Sequence, residues 1–153
     1  MTIRSLDISI DGRLLVTGSF DNSLRIWKIR DGSSKLLSID DGTHASVRFS
    51  PNGRYVAAAN SDRCLRIWDV RSGHLIRKWR GHTSNVQCLA FSPDGERLVS
   101  GGWDNIVKWW DVGPLRLPAS DLSAEERVLE SYVLPLKSLE LSVSLSCSLM
   151  KLS

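Results

Sequence analysis

The chain has 153 residues, of which 42% are hydrophobic and 24% charged, and carries a net charge of +3 at neutral pH. That length suits one ordinary domain with its own core. No apolar run approaches 18 residues, which excludes a transmembrane helix, and the N-terminal MTIRSLDISIDG lacks the apolar segment of a secretory leader. Cys64, Cys88 and Cys147 are odd in number and have no C-x-x-C spacing, so reduced thiols in an intracellular protein of nucleus or cytoplasm are expected. The basic residues are spread along the chain rather than gathered into a stripe, which speaks against a dedicated nucleic-acid surface.

From the N-terminus, Ile3, Leu6 and Ile8 read as an inner strand. Asp11-Gly12 is a turn, Leu14 to Gly18 a second strand, Asp21-Asn22 another turn and Ser23 to Lys28 a third strand. A loop at Asp31 to Ser34 leads to a short outer strand at Lys35 to Ile39. The plan then repeats. Val47 and Phe49 form an inner strand, Pro51-Asn52-Gly53 turns, and Tyr55 to Ala59, Leu65 to Val70 and Leu75 to Trp79 follow as strands. It starts a third time at Gly81-His82, with Val86, Leu89 and Phe91, then Glu96 to Gly101 and Ile106 to Trp110. Four short strands with regular turns make one propeller blade.

The repeat units lie at about 1–40, 41–80 and 81–112, and a non-repeat tail covers 113–153. Gly113-Pro114 and Pro118 break the pattern. Ser123-Ala124-Glu125-Glu126 has the spacing of a capping box and predicts a short helix over 123–133. Alternating apolar residues from Leu139 to Leu149 predict an edge strand over 139–149.

Spacing ties the three units together. Gly12, Gly53 and Gly95 each precede a tryptophan (Trp27, Trp68, Trp110) by fifteen residues, and the units recur after 41 and 42 residues. Such a period indicates a propeller or an array. Together, GH…FSPDG…LVSGG.D…WWD resembles the WD-repeat β-propeller family over residues 2–112. The fold expected is all-β: a partial, three-bladed WD-repeat propeller of four-stranded antiparallel blades with a non-repeat tail.

The resemblance implies a buried hydrogen-bonded network of His, Ser or Thr, Asp and Trp in each blade. Here His82, Ser100, Asp104 and Trp110 supply it in the third repeat. The first retains Thr17, Asp21 and Trp27, and the second Asp62 and Trp68, with Ala58 in place of the hydroxyl. The first two blades are therefore expected to be looser. His44 and His74 are expected in surface loops. His82, Ser100 and Asp104 match the residue types of a hydrolase triad, but there is no G-x-S-x-G elbow, and the structural reading is preferred. No residue spacing points to a metal or a cofactor.

The run Leu36 to Gly42, with Tyr55 to Ala59, Ser61-Asp62-Arg63 and Val99 to Gly102, is similar to the middle repeats of Tup/Groucho-type transcriptional co-repressors. Those proteins have seven blades and an N-terminal oligomerisation helix, so the resemblance implies a truncated relative or a fragment. In this family partners bind where the inner strands begin. Carried over, that face comprises Thr2, Arg4 and Phe20, then Thr43, Ala45 and Ser61, then Asn85, Gln87 and Trp103. Phe20 and Trp103 read equally as binding anchors and as packing against a neighbouring blade. Arg63, Arg66 and Arg25 read as a patch for phosphate or acidic peptide, or as the solvated side of a strand, with the latter preferred.

Three blades cannot close a ring, and sheet faces left open expose apolar surface. The chain is then part of a longer product, self-associates through its open blade edges, or covers an edge with its tail. The function expected is a non-enzymatic protein-interaction scaffold in transcriptional co-repression. The alternatives are an adaptor of ubiquitin-ligase or signalling complexes, or a truncated product without function. The partners expected are other proteins or peptides, with no direct nucleic-acid or membrane binding.

Overall fold

Turn chemistry divides the chain into strands of six residues. The computed structural model describes residues 2–39, 42–113 and 140–142. The first blade contains β1 (Ile3–Ile8), β2 (Leu14–Ser19), β3 (Ser23–Lys28) and β4 (Ser34–Ile39). The second contains β5 (His44–Phe49), β6 (Tyr55–Asn60), β7 (Cys64–Asp69) and β8 (Leu75–Arg80). The third contains β9 (Val86–Phe91), β10 (Arg97–Gly102) and β11 (Ile106–Asp111), with the short β12 (Glu140–Ser142) beyond them. Each sheet is an antiparallel meander in chain order, except that β12 reaches the edge of the third sheet from the distant tail. It pairs Ile106 with Ser142, Val107 with Leu141 and Lys108 with Glu140. The helix expected over 123–133, Cys147 and the rest of the 139–149 strand lie outside the described residues.

The first turn of each blade has one design. Gly12, Gly53 and Gly95 adopt φ values of 68°, 68° and 74°, in the left-handed region that glycine enters without steric cost. Three serines that the sequence reading passed over secure the same turns. Ser9, Ser50 and Ser92 accept through Oγ from the amides of Leu14, Tyr55 and Arg97, each at 2.9 Å.

Strand alternation builds two cores, one on each side of the middle blade. Val16, Leu24 and Ile26 of the first blade pack with Val47, Phe49, Val56, Ala58 and Trp68 of the second. Tyr55, Ala57, Leu65 and Ile67 point the other way and meet Leu89, Leu98 and Trp110 of the third. The two middle strands of the second blade, β6 and β7, are buried along their whole length. The small side chains of Ala57, Ala58 and Ala59 let neighbouring sheets approach on both faces.

The outer blades each keep one open face. On β1, Asp7 turns toward the second blade, where its Oδ2 accepts from the Phe49 amide at 2.8 Å. Leu6 and Ile8 therefore face away and are 56% and 53% exposed. Trp109 is 37% exposed on the third blade. Among the described residues no helix is long and apolar enough to cross a membrane.

Candidate partner-binding face

One end of the stack repeats the same backbone device three times. The amides of Phe20, Ser61 and Trp103 donate to the carbonyls of Thr2, Thr43 and Asn85 at 3.1, 3.1 and 2.9 Å. These bonds close each second strand onto the start of its inner strand. They place Phe20, Ser61 and Trp103 at equivalent stations, each just before the turn aspartate.

The inner strands are irregular at this same end. Pairing passes from Ile3 to Ser5, from His44 to Ser46 and from Cys88 to Val86, skipping Arg4, Ala45 and Gln87. Those three residues are therefore β-bulges, which re-aim a side chain relative to the flat ladder. The sequence contains no local signal for the bulges, although the residues that occupy them are those assigned to the partner face.

Two blades meet across this end. The Arg4 guanidinium sits 5.0 Å over the Phe20 ring, and its Nη2 donates to Gln87 Oε1 at 3.2 Å. Phe20 is 50% exposed and Trp103 64%. Thus Arg4, Phe20 and Gln87 form one cluster, Asn85 and Trp103 share a backbone bond, and Ser61 stands at the second-blade station.

Beneath the face lie the polar networks, and they differ from blade to blade. In the third blade, His82 Nδ1 lies 2.8 Å from Asp104 Oδ2, and His82 Nε2 lies 2.8 Å from Ser100 Oγ. Trp110 Nε1 donates to the same Ser100 Oγ at 2.8 Å. Burial alone would disfavour ionised Asp104. The Thr83 amide at 2.9 Å and the contact with His82 outweigh it and hold the carboxyl below its ordinary range. Ser100 is only 1% exposed and His82 3%, so no substrate carbonyl reaches the hydroxyl. The arrangement fixes the blade and has no geometry for acyl transfer.

In the first blade, Trp27 Nε1 donates to Thr17 Oγ1 at 2.8 Å. Asp21 stays at the surface, where it accepts from the Ser23 amide at 2.9 Å. The second blade departs furthest from expectation. His44 is not in a surface loop: it is fully buried on β5, with Nδ1 3.1 Å from Asn60 Oδ1 and Nε2 3.0 Å from the Asn22 carbonyl. Its ring meets Trp68 edge-on at 6.3 Å. Nor is Arg66 a solvated strand residue. It is 3% exposed and pairs with Asp62 Oδ2 at 2.6 Å. Burial opposes ionisation of Asp62, but the hydrogen bonds and charge of Arg66 outweigh it and lower the carboxyl.

These bonds differ from the third-blade network: Asp62 is held by Arg66, and His44 joins Asn60 to the first blade. No buried side-chain nitrogen or oxygen among the described residues lacks a partner. The premise behind a looser second blade, a partly satisfied polar network, is therefore not met, because its polar groups are satisfied by other residues. His74 is exposed. Among the described residues no group of three His, Cys, Asp or Glu side chains is placed to hold a metal ion.

Comparison with known proteins agrees with this geometry. The family model described as "WD domain, G-beta repeat" matches residues 1–28, 37–69 and 73–111. Protein groucho of Drosophila melanogaster is 34% identical over 114 residues, covering 72% of this chain and 16% of that protein. The chain thus spans about a sixth of the curated relative it matches. With three matched repeats, three four-stranded sheets and the His-Ser-Asp-Trp network in the third, this chain belongs to the WD-repeat family.

Proposed function

We propose that the chain is a WD-repeat scaffold acting in transcriptional co-repression, and that it holds a protein or peptide on the face bearing Arg4, Phe20, Ser61, Asn85, Gln87 and Trp103. The observation that carries this reading is the Arg4–Phe20–Gln87 cluster beside the exposed Trp103. Large aromatic and arginine side chains are the residues that most often dominate binding energy. An aromatic and an arginine held in place before binding lose less side-chain freedom when a partner arrives. Similarity to groucho supports the co-repression reading and, with it, action in the nucleus.

The test is a tethered reporter. The chain is fused to a heterologous DNA-binding domain in a cell with the matching promoter, and transcription is measured. Repression that falls to background with Phe20→Ala plus Trp103→Ala, at unchanged protein level and melting temperature, supports both parts of the proposal. Repression that survives the double substitution removes the face from the account. A fusion that never represses removes the co-repression reading.

A further inference from the structure

A second recognition feature lies beside that face, in a groove between the β6–β7 turn, the end of β8 and the β8–β9 connection. It encloses about 800 Å³ and is lined by Asp62, Arg63, Lys78 and Arg80, with Ser61 and Asn85 at its margin. Arg63, Lys78 and Arg80 are all exposed. Among the described residues none of the three side chains makes a hydrogen bond or ion pair, and the Lys78 charge acts on Asp62 only through space. The one carboxylate in the lining is already engaged: Arg66 Nη2 lies 2.6 Å from Asp62 Oδ2 and Arg66 Nη1 3.2 Å from Oδ1. The groove therefore presents three uncompensated cations.

Their placement follows from strand geometry. Lys78 stands opposite Arg66, and Arg80 opposite Cys64, on the same side of β8. Residues two apart on a strand lie about 7 Å from each other along one face. A carboxylate on every second residue of an extended peptide has the same repeat. Arg63 occupies the turn across the groove at φ 70°, where Asn22 and Asn105 stand in the other blades. The second blade alone replaces that asparagine with a cation.

We propose that this groove binds an extended acidic segment of a partner protein, with Arg63, Lys78 and Arg80 contacting alternate carboxylates. It borders the proposed partner face through Ser61 and Asn85 but rests on its own cations. The two proposals therefore fail separately.

The test is fluorescence anisotropy with a labelled ten-residue peptide alternating Glu and Ser, and with its Gln/Ser counterpart, titrated with the full chain. The expected result is saturable binding of the Glu peptide alone, weakening as salt screens the charges. Arg63→Ser with Arg80→Ser weakens it at least tenfold, whereas Arg30→Ser, at the opposite end of the blades, and Phe20→Ala leave it unchanged. Circular dichroism of each variant establishes that it is folded, and Lys78→Ser supplies a second, single-site readout. Equal affinity of wild type and both groove variants overturns the proposal. So does equal weakening by Arg30→Ser, which would mean diffuse attraction to a basic surface. Binding that requires phosphoserine in place of glutamate, or that inorganic phosphate displaces fully, overturns the carboxylate assignment.

Discussion

His44 Nε2 on the inner strand of the second blade lies 3.0 Å from the Asn22 carbonyl in a turn of the first, while its Nδ1 lies 3.1 Å from Asn60 Oδ1 in its own blade. One imidazole thereby ties two blades together. His44→Ala removes both bonds, leaves a void beside Trp68 and is expected to cost roughly 2–4 kcal/mol. Urea unfolding reads the loss. Hydrogen exchange should show it concentrated in the amides of β2 and β5, whereas an even loss across all three blades would deny the bridge.

Ser100 and Thr17 occupy the same position in their blades but hold different numbers of partners. Ser100 contacts both His82 and Trp110, and Thr17 is bonded by Trp27. Ser100→Ala leaves two buried groups to be satisfied and should destabilise by about 2–3 kcal/mol, and Thr17→Val by about 1 kcal/mol. Thermal melts of the two variants give the comparison. Equal losses would show that the histidine adds nothing to the third blade.

Acid should release the third-blade network. Asp104 has a folded-state pKa below its unfolded value, because the Thr83 amide and His82 outweigh the effect of burial. Its contribution is therefore complete above the unfolded value, about 3.9, and disappears as pH falls through the folded one. Asp62 and Asp69 are lowered as well and act in the same direction. Urea midpoints should drop as pH is taken from about 5 toward 2, and Asp104→Asn should flatten part of that slope. An unchanged slope in the variant would remove Asp104 from the linkage.

The open faces of the outer blades are counterparts of the two that already pack around the middle one. Leu6 and Ile8 stand exposed on one, and Trp109 on the other. We propose that a second copy joins first blade to third in the manner of the internal contacts, so that two copies close a ring of six blades. Light scattering behind size exclusion is expected to give twice the chain mass, and Leu6→Asp with Ile8→Asp the single mass. A monomer at all concentrations would contradict this assembly.

Features set by local chemistry were legible in the sequence. The turn glycines, the fifteen-residue spacing to tryptophan and the alternation of apolar residues each report on one strand and its neighbour, and they placed the three sheets correctly. The stations of Phe20 and Trp103 came instead from the family resemblance, which assigns the residue before each turn aspartate to one face. What escaped depends on contacts distant in sequence, on a turn that folds a near neighbour back, or on irregular pairing. His44 is buried because a carbonyl of another blade and Asn60 receive it. Arg66 is buried because Asp62 stands four residues before it, on the far side of a turn whose middle residue has a positive φ. The bulges at Arg4, Ala45 and Gln87 are visible only once the strands are paired.

The most direct test of the central claim is site-specific photocrosslinking in cells, with a benzophenone side chain placed singly at Phe20, Trp103 or Arg30. Phe20 and Trp103 lie on the proposed face, and Arg30 is exposed at the other end of the first blade. The account predicts one shared crosslinked protein band from Phe20 and Trp103 and none from Arg30. Crosslinks from Arg30 with none from the two aromatic positions would place the partner on the opposite end and contradict it.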